Sequence, residues 1–386
     1  MSLITEPIIL DKTAKELTQA LWTVANALGN KTELTMEQIK NIIISGGGSK
    51  MFPVGTVLTV QKEGGTAHKF VFVHHGQYAD GRFYAHLRLM VALYQLQYDS
   101  YEAFYYAESG LPAGNYNVQI PTAWSHAAAG YYNFTLANAV PVGGQLYGFE
   151  RLADVNPDGT SVKVFASATA TTASETVTMT RSDSPVGTTI GKLIATGDPD
   201  NANMNSMQRV GYGSNNWAQS AARQFLNSAA AAGSVWKPKT KFDRPPSWAA
   251  TQAGFESLLP QDFLDIINPV SMDTVTNNVF ETDYQTGSSY STKDKFWLPS
   301  RYQILGTTEG ADLSETQWDY YKGATDVDRI MYDAGGTARS QWLRSPYPGL
   351  ANSVRVVNAS GALYNYAAYY GHALAPACEI SAMAAS

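Results

Sequence analysis

The chain has 386 residues, of which 44% are hydrophobic, enough for two or three domains with real cores. A net charge of -6, only 16% charged residues and no Lys/Arg run leave no basic stripe for a phosphate backbone, so nucleic acid is excluded as a partner. The single cysteine, Cys378, can form neither an intramolecular disulfide nor a multi-thiolate zinc site. No run approaches the roughly 20 apolar residues that span a bilayer, so membrane insertion is not expected.

In chain order, Asp11 to Gly29 carries Leu17, Leu21, Val24 and Leu28 at alternating four- and three-residue spacing, which predicts a helix with one narrow apolar seam. Thr35 with Gln38 three residues on forms a capping-box pattern for a second helix through Ile39, Ile42 and Ile43, stopped by Gly46-Gly47-Gly48. The seam of the first helix is expected either to pack on the body of the chain or, across a flexible glycine hinge, to join another copy or a larger assembly. Val54 to Val60 and Lys69 to His74, separated by Glu63-Gly64-Gly65, have the pattern of a β-hairpin.

From Asn115 to Thr180 the short runs NYNVQI, YYNFTL, GQLYGFE, SVKVFAS and ETVTMT are separated by Pro, Gly, Asn and Asp turns, as in a small antiparallel sandwich. Beyond Gly191 the texture changes. Asn216 to Ala230 places Trp217, Ala221, Phe225 and Leu226 on one helical face, and Phe255 to Ile267 offers a second helix interrupted at Pro260. FDRPPSW, KFWLPS and QWLRSP are dense in Trp and Pro with little periodicity between them, which predicts a body held largely by irregular loops. Arg244 and Arg344, beside Pro245-Pro246 and Trp342, fit buried arginines that pin such loops.

Motifs for catalysis or metal binding are weak. Asp154 to Gly159 opens like a calcium loop, but its twelfth position is Phe165 instead of a bidentate Glu, and a turn fits better. Asp198-Pro199-Asp200-Asn201 lacks metal-loop spacing. His74 and His75 are neighbours on a predicted strand and face opposite sides, so they cannot chelate one ion together. No nucleophile elbow, phosphate loop or zinc motif stands in credible context, and Asp326 with Asp328 fits surface solvation better than glycoside cleavage. The expectation is a non-enzyme with no cofactor and no metal.

The last forty residues are the most informative. Tyr364, Tyr366, Tyr369 and Tyr370 are interleaved with Asn365, Ala367, Ala368 and Gly371, the mixture of rigid amphipathic aromatics and small residues found in paratopes. From Tyr347 to Cys378 there is no Lys, Glu, Gln, Met or Trp. Those are the five types that an Asn AAC codon cannot reach when its first two positions are randomised. The competing expectation is a final β-hairpin whose tyrosines pack on a sheet.

RVGYGSNNWAQSAARQFLNS, FDRPP, KFWLPS, QWLRSP and the terminal APACEI, with FPVGTVLTV, YEAFYYAESGLPAGNY and GGQLYGFE upstream, resemble phage- and prophage-encoded proteins with a C-type-lectin-like terminal domain. Some members of that family are the variable targets of diversity-generating retroelements. The resemblance covers nearly everything after Gly48. It implies an α+β chain: a helical attachment segment at 1–48, a lectin-like domain of the formylglycine-generating-enzyme-like variant at 49–99 and 185–386, and a β-sandwich inserted at 100–184. Adenine-directed mutagenesis in such proteins alters a C-terminal region, here between QWLRSP and APACEI. The implied variable contacts are Leu350, Ser353, Arg355, Val357, Tyr364, Tyr366, Ala368, Tyr369, Tyr370 and His372. The enzymatic branch of the fold needs paired cysteines or copper chemistry, and Cys378 alone provides no pair.

The function implied is receptor binding or adhesion by a phage tail or virion protein, or one shown on the host cell surface, that recognises a bacterial surface protein or glycan. Homo-trimer formation, or attachment to the tail through the N-terminal helices, goes with it. A carbohydrate-active enzyme or binding module, and a purely structural virion component, stand as the alternatives.

Overall fold

The computed structural model describes residues 34–100, 110–120, 129–140, 145–147, 160–165, 173–192, 212–239, 243–275, 289–309, 315–348, 350 and 352–382. The expected first helix at 11–29 and the turns at 154–159 and 198–201 lie outside them. Thr35 caps helix α1 (Met36–Ile44) through the reciprocal Thr35–Gln38 box, and Ile39, Ile42 and Ile43 are buried in the main core. A short helix α2 (Gly48–Met51) follows directly. The glycines between them are therefore packed and do not act as a hinge. Gly46 holds φ +82° with the Phe83 ring 2.7 Å from where a Cβ would stand, so both its conformation and its missing side chain are required.

Strands β1 (Val57–Gln61), β2 (Ala67–Gln77), β3 (Phe83–Leu89) and β4 (Gln95–Gln97) come next. After them comes an insertion of β5 (Gly114–Ile120), β6 (Gly130–Leu136), β7 (Gln145–Tyr147), β8 (Thr160–Phe165), β9 (Ala173–Ser182) and β10 (Thr188–Lys192). These six form one sheet in the order β10-β5-β6-β9-β8-β7, extending past the expected limit at residue 184. Their alternation is what the sequence runs dictate: Tyr116 and Val118 lie opposite Phe134 and Tyr132, all buried. The chain leaves the body after Ser100 and is back beside it at Gly213. With φ +80° and no Cβ, Gly213 lies against the Asp99 and Ser100 carbonyls.

The remainder comprises helix α3 (Ala221–Leu226), helix α4 (Gln261–Ile266), the pair β11 (Val270–Val275) and β12 (Ser289–Asp294), helix α5 (Arg301–Leu305) and the pair β13 (Met331–Tyr332) and β14 (Ala338–Arg339). It ends with β15 (Gln341–Pro346), β16 (Ser353–Val357), β17 (Leu363–Ala367), β18 (Gly371–Ala373) and β19 (Ala377–Ser381). Two sheets organise the body: β1-β2-β3-β19 and β17-β16-β15-β18-β4. The β3–β4 and β18–β19 links run side by side between them, with Leu89 N donating to Pro376 O and Leu93 N to Leu374 O, both at 2.9 Å. Trp217, Trp297, Trp318 and Trp342 are fully buried in the main core.

The expectation of an α+β, C-type-lectin-like architecture is overturned. Among the described residues strand outweighs helix, spread over several small sheets, and no described helix exceeds the nine residues of α1. Local polar bonds cut the helical runs short. Ahead of α3 the Asn216 side chain accepts from Ala218 N at 2.9 Å in a turn, and Ser220 caps the helix. Behind it Asn227 Oδ1 takes the N–H groups of Lys295 and Phe296 at 2.9 and 3.0 Å, tying the chain across to another segment. Of the predicted Phe255–Ile267 helix, the part before Pro260 is a single 3-10 turn.

Candidate functional site

Register decides what each residue of the C-terminal sheet can do. β16 pairs β17 with Val354 opposite Tyr366 and Val356 opposite Tyr364, and Trp342 of β15 stands opposite Val356. Residues paired across a sheet share a face, so Trp342, Val354, Val356, Tyr364 and Tyr366 lie on one side. Ser353, Arg355 and Val357 lie on the other with Ala367, Asn365 and Leu363. The ten predicted contacts are thus not one surface.

On the first side the tyrosines gather. Tyr366 touches Tyr364, Tyr370 and His372, with ring centroids at 5.2, 5.9 and 4.4 Å, and Tyr370 stacks obliquely on Tyr369 at 4.3 Å. Tyr364 and Tyr370 are exposed, at 51% and 45%, and Tyr366 and Tyr369 are partly covered. Beneath them His372 packs edge-on to buried Trp342 at 4.7 Å, and Trp342 Nε1 is fixed by Leu96 O at 3.0 Å. Burial pushes the His372 pKa down to about 4, and its Nε2 has no hydrogen-bond partner among the described residues.

The remaining predicted contacts are structural. Ala368 and Val357 are buried, and Ala368 bonds through its backbone to Asn352 and Asp99. The Leu350 and Ser353 carbonyls accept from Asn215 Nδ2 at 2.8 and 3.2 Å, which pins the β15–β16 connection. Arg355 forms a two-pronged pair with Glu309, one bond at 2.8 Å, and lies over the Tyr347 ring at 4.5 Å. Tyr212 joins the aromatic group from a distant part of the sequence: its ring is 5.8 Å from Tyr369 and its carbonyl takes Tyr369 N at 3.0 Å. Sequence reasoning missed it because only folding brings Tyr212 to that edge.

A second polar cluster lies on β2, β3 and β19, where His74, His86 and Glu379 stand in one row. His86 Nε2 bonds Glu379 at 3.1 Å, Tyr78 donates to the same carboxylate oxygen at 2.6 Å, and Trp318 Nε1 donates to His86 Nδ1 at 3.0 Å. His74 Nδ1 bonds Asp319 at 2.7 Å and its Nε2 lies 3.5 Å from the Tyr84 hydroxyl. His75 instead bonds Phe52 O, on the other side of the strand as read from the sequence. The carboxylate–imidazole–hydroxyl order resembles a relay, but burial and the nearby Glu379 and Asp319 carboxylates raise the Tyr84 pKa, so its hydroxyl is not activated as a nucleophile. The row fastens the 315–322 segment to the sheet. Arg344, likewise, is buried and paired with Glu315, and Asp326 is salt-bridged to Arg329 at 2.7 Å. Among the described residues no group of three or more His, Cys, Asp or Glu side chains could hold a metal ion, and no helix is long and apolar enough to cross a membrane.

The molecule is thus a β-rich body with an inserted sheet and a tyrosine face at the edge of its C-terminal sheet. Residues 190–382, half of the chain, match the family model DUF6273, a domain of unknown function, and the chain belongs to that family. The match spans β11 to β19, whereas β1 to β4, which complete both body sheets, precede it. No curated protein and no solved structure matches the chain.

Proposed function

We propose that this is a non-catalytic recognition protein of a phage or prophage, its C-terminal tyrosine face varied by a retroelement and presented to a protein or glycan on a bacterial surface. One observation carries the reading: Tyr364 and Tyr370 stand half exposed on either side of Tyr366, above a fixed His372–Trp342 support. Tyrosine offers contact area, a hydroxyl and few rotors, and surface substitutions on a rigid support cost little stability. The absence of Lys, Glu, Gln, Met and Trp from Tyr347 to Cys378 fits adenine-directed variation. Attachment through the N-terminal segment, as a trimer or on a tail, would turn weak single contacts into avidity.

The test is binding of the full chain, fluorescently labelled, to a panel of bacterial cells. Tyr364→Ala with Tyr370→Ala is expected to abolish cell binding with an unchanged melting temperature. Binding that survives the double variant sinks the proposal. A template repeat differing only at adenines beside a reverse-transcriptase gene is the matching genomic signature.

A further inference from the structure

Among the described residues from β16 to β18, the tyrosine face carries no charged side chain. From Val356 to Cys378 the sequence contains no Asp, Glu, Lys or Arg. Arg355 is consumed by Glu309 and Tyr347 on the opposite side of the sheet, and Asp99, behind Ala368, is buried. The imidazole of His372 is held neutral by burial, its pKa pushed down to about 4. An anionic ligand therefore finds no cationic side chain among these described residues, and an isolated charge brought against them loses hydration with little compensation.

Ring spacing separates the remaining chemistries. An aromatic cage for a quaternary ammonium needs rings standing apart around an open centre. Here the rings fill one another's space, at 4.3 Å for Tyr369–Tyr370 and 4.4 Å for Tyr366–His372, and leave no open centre between them. What fits exposed, closely packed aromatic rings that carry phenol hydroxyls and have no charged side chain among them is a ring with a C–H face and a hydroxyl rim.

We infer that the ligand is an uncharged saccharide, stacked on Tyr364 and Tyr370 and hydrogen-bonded through their hydroxyls. This deepens the recognition reading and rests on it.

The experiment uses the full chain on cells that it binds, with three treatments: periodate to cleave vicinal diols, protease to strip surface protein, and raised salt. Calorimetry follows with neutral glucose, galactose and N-acetylglucosamine oligomers and with the same backbones bearing uronate or phosphate. Periodate is expected to abolish binding while protease leaves it, with less than about a twofold change across about 0.05 to 0.5 M salt. Tyr364→Ala and Tyr370→Ala each weaken binding by about tenfold, and Tyr364→Trp retains it. Protease-sensitive but periodate-resistant binding, or a preference for the charged oligomers with a steep salt dependence, overturns the saccharide assignment and leaves tyrosine-dependent recognition standing. Cell binding indifferent to both tyrosines, or no binding to any cell, overturns the two together.

Discussion

Trp318 Nε1 donates to His86 Nδ1 at 3.0 Å, and because an indole can only donate, this bond fixes the imidazole as the neutral tautomer with its proton on Nε2, directed at Glu379. Burial drives the Glu379 pKa up, but the hydrogen bonds from His86, Tyr78 and Ser381 outweigh it and hold the carboxyl below its ordinary 4.5. Trp318→Phe strands His86 Nδ1, and Glu379→Gln leaves donors facing an amide. Each is expected to cost about 1–3 kcal/mol in urea denaturation, and the pair less than the sum of the singles.

Acid should weaken the fold from the histidine side first. Burial is the leading reason that His68, His74, His75 and His372 all have pKa values below 6.5. The unfolded chain therefore takes up protons that the folded protein refuses, and stability falls as pH drops below 6.5. For His372 the loss runs from 6.5 to about 4 and amounts to at most about 3 kcal/mol. Glu379, with its depressed pKa, adds a further loss as pH falls below 4.5. His372→Phe should flatten the upper part of the profile of melting temperature against pH. An unchanged profile would contradict the burial of that ring.

The ten residues that the resemblance implied as variable should divide sharply by stability. Tyr364→Ser and Tyr370→Ala, at exposed positions, are expected to stay within about 0.5 kcal/mol of the parent. Val357→Asp and Ala368→Tyr, at buried ones, should cost about 3 kcal/mol or more by charge burial or overpacking.

Arg355 gives a prediction of opposite character. Because its guanidinium is paired with Glu309 on the face away from Tyr364, Arg355→Ala should lower stability by about 1–3 kcal/mol while leaving cell binding intact. Glu309→Ala should reproduce the stability change.

Close packing against a glycine supplies a fifth check. Tyr84 lies over Gly76 so tightly that a methyl group there would overlap its ring. Gly76→Ala should destabilise by about 1–3 kcal/mol, and combining it with Tyr84→Ala should cost less than the two separate effects summed.

Elements governed by local chemistry were legible in the sequence. The Thr35–Gln38 box, the Glu63–Gly65 hairpin turn and the alternating strands of the insertion follow from short-range patterns, and each occupies its expected place. Trp217, Ala221, Phe225 and Leu226 are buried as their spacing required, although Trp217 lies in the turn ahead of a shorter helix, because the competing bonds of Asn216 and Asn227 act across distances that periodicity does not record. The aromatic group was only half legible. Four tyrosines were visible as a cluster, yet which of their neighbours share the face depends on the β16–β17 register, and Tyr212 arrives from more than a hundred residues away. The α+β expectation failed because Trp- and Pro-dense runs record burial without recording backbone direction.

Gly213 lies against the carbonyls of Asp99 and Ser100, so the insertion leaves and rejoins the body at neighbouring points. A cassette mounted in this way can be lengthened, exchanged or removed by one recombination event without shifting the strands to either side of it. Chains that share this body are thus free to differ in the outer module while keeping the pairing of both body sheets.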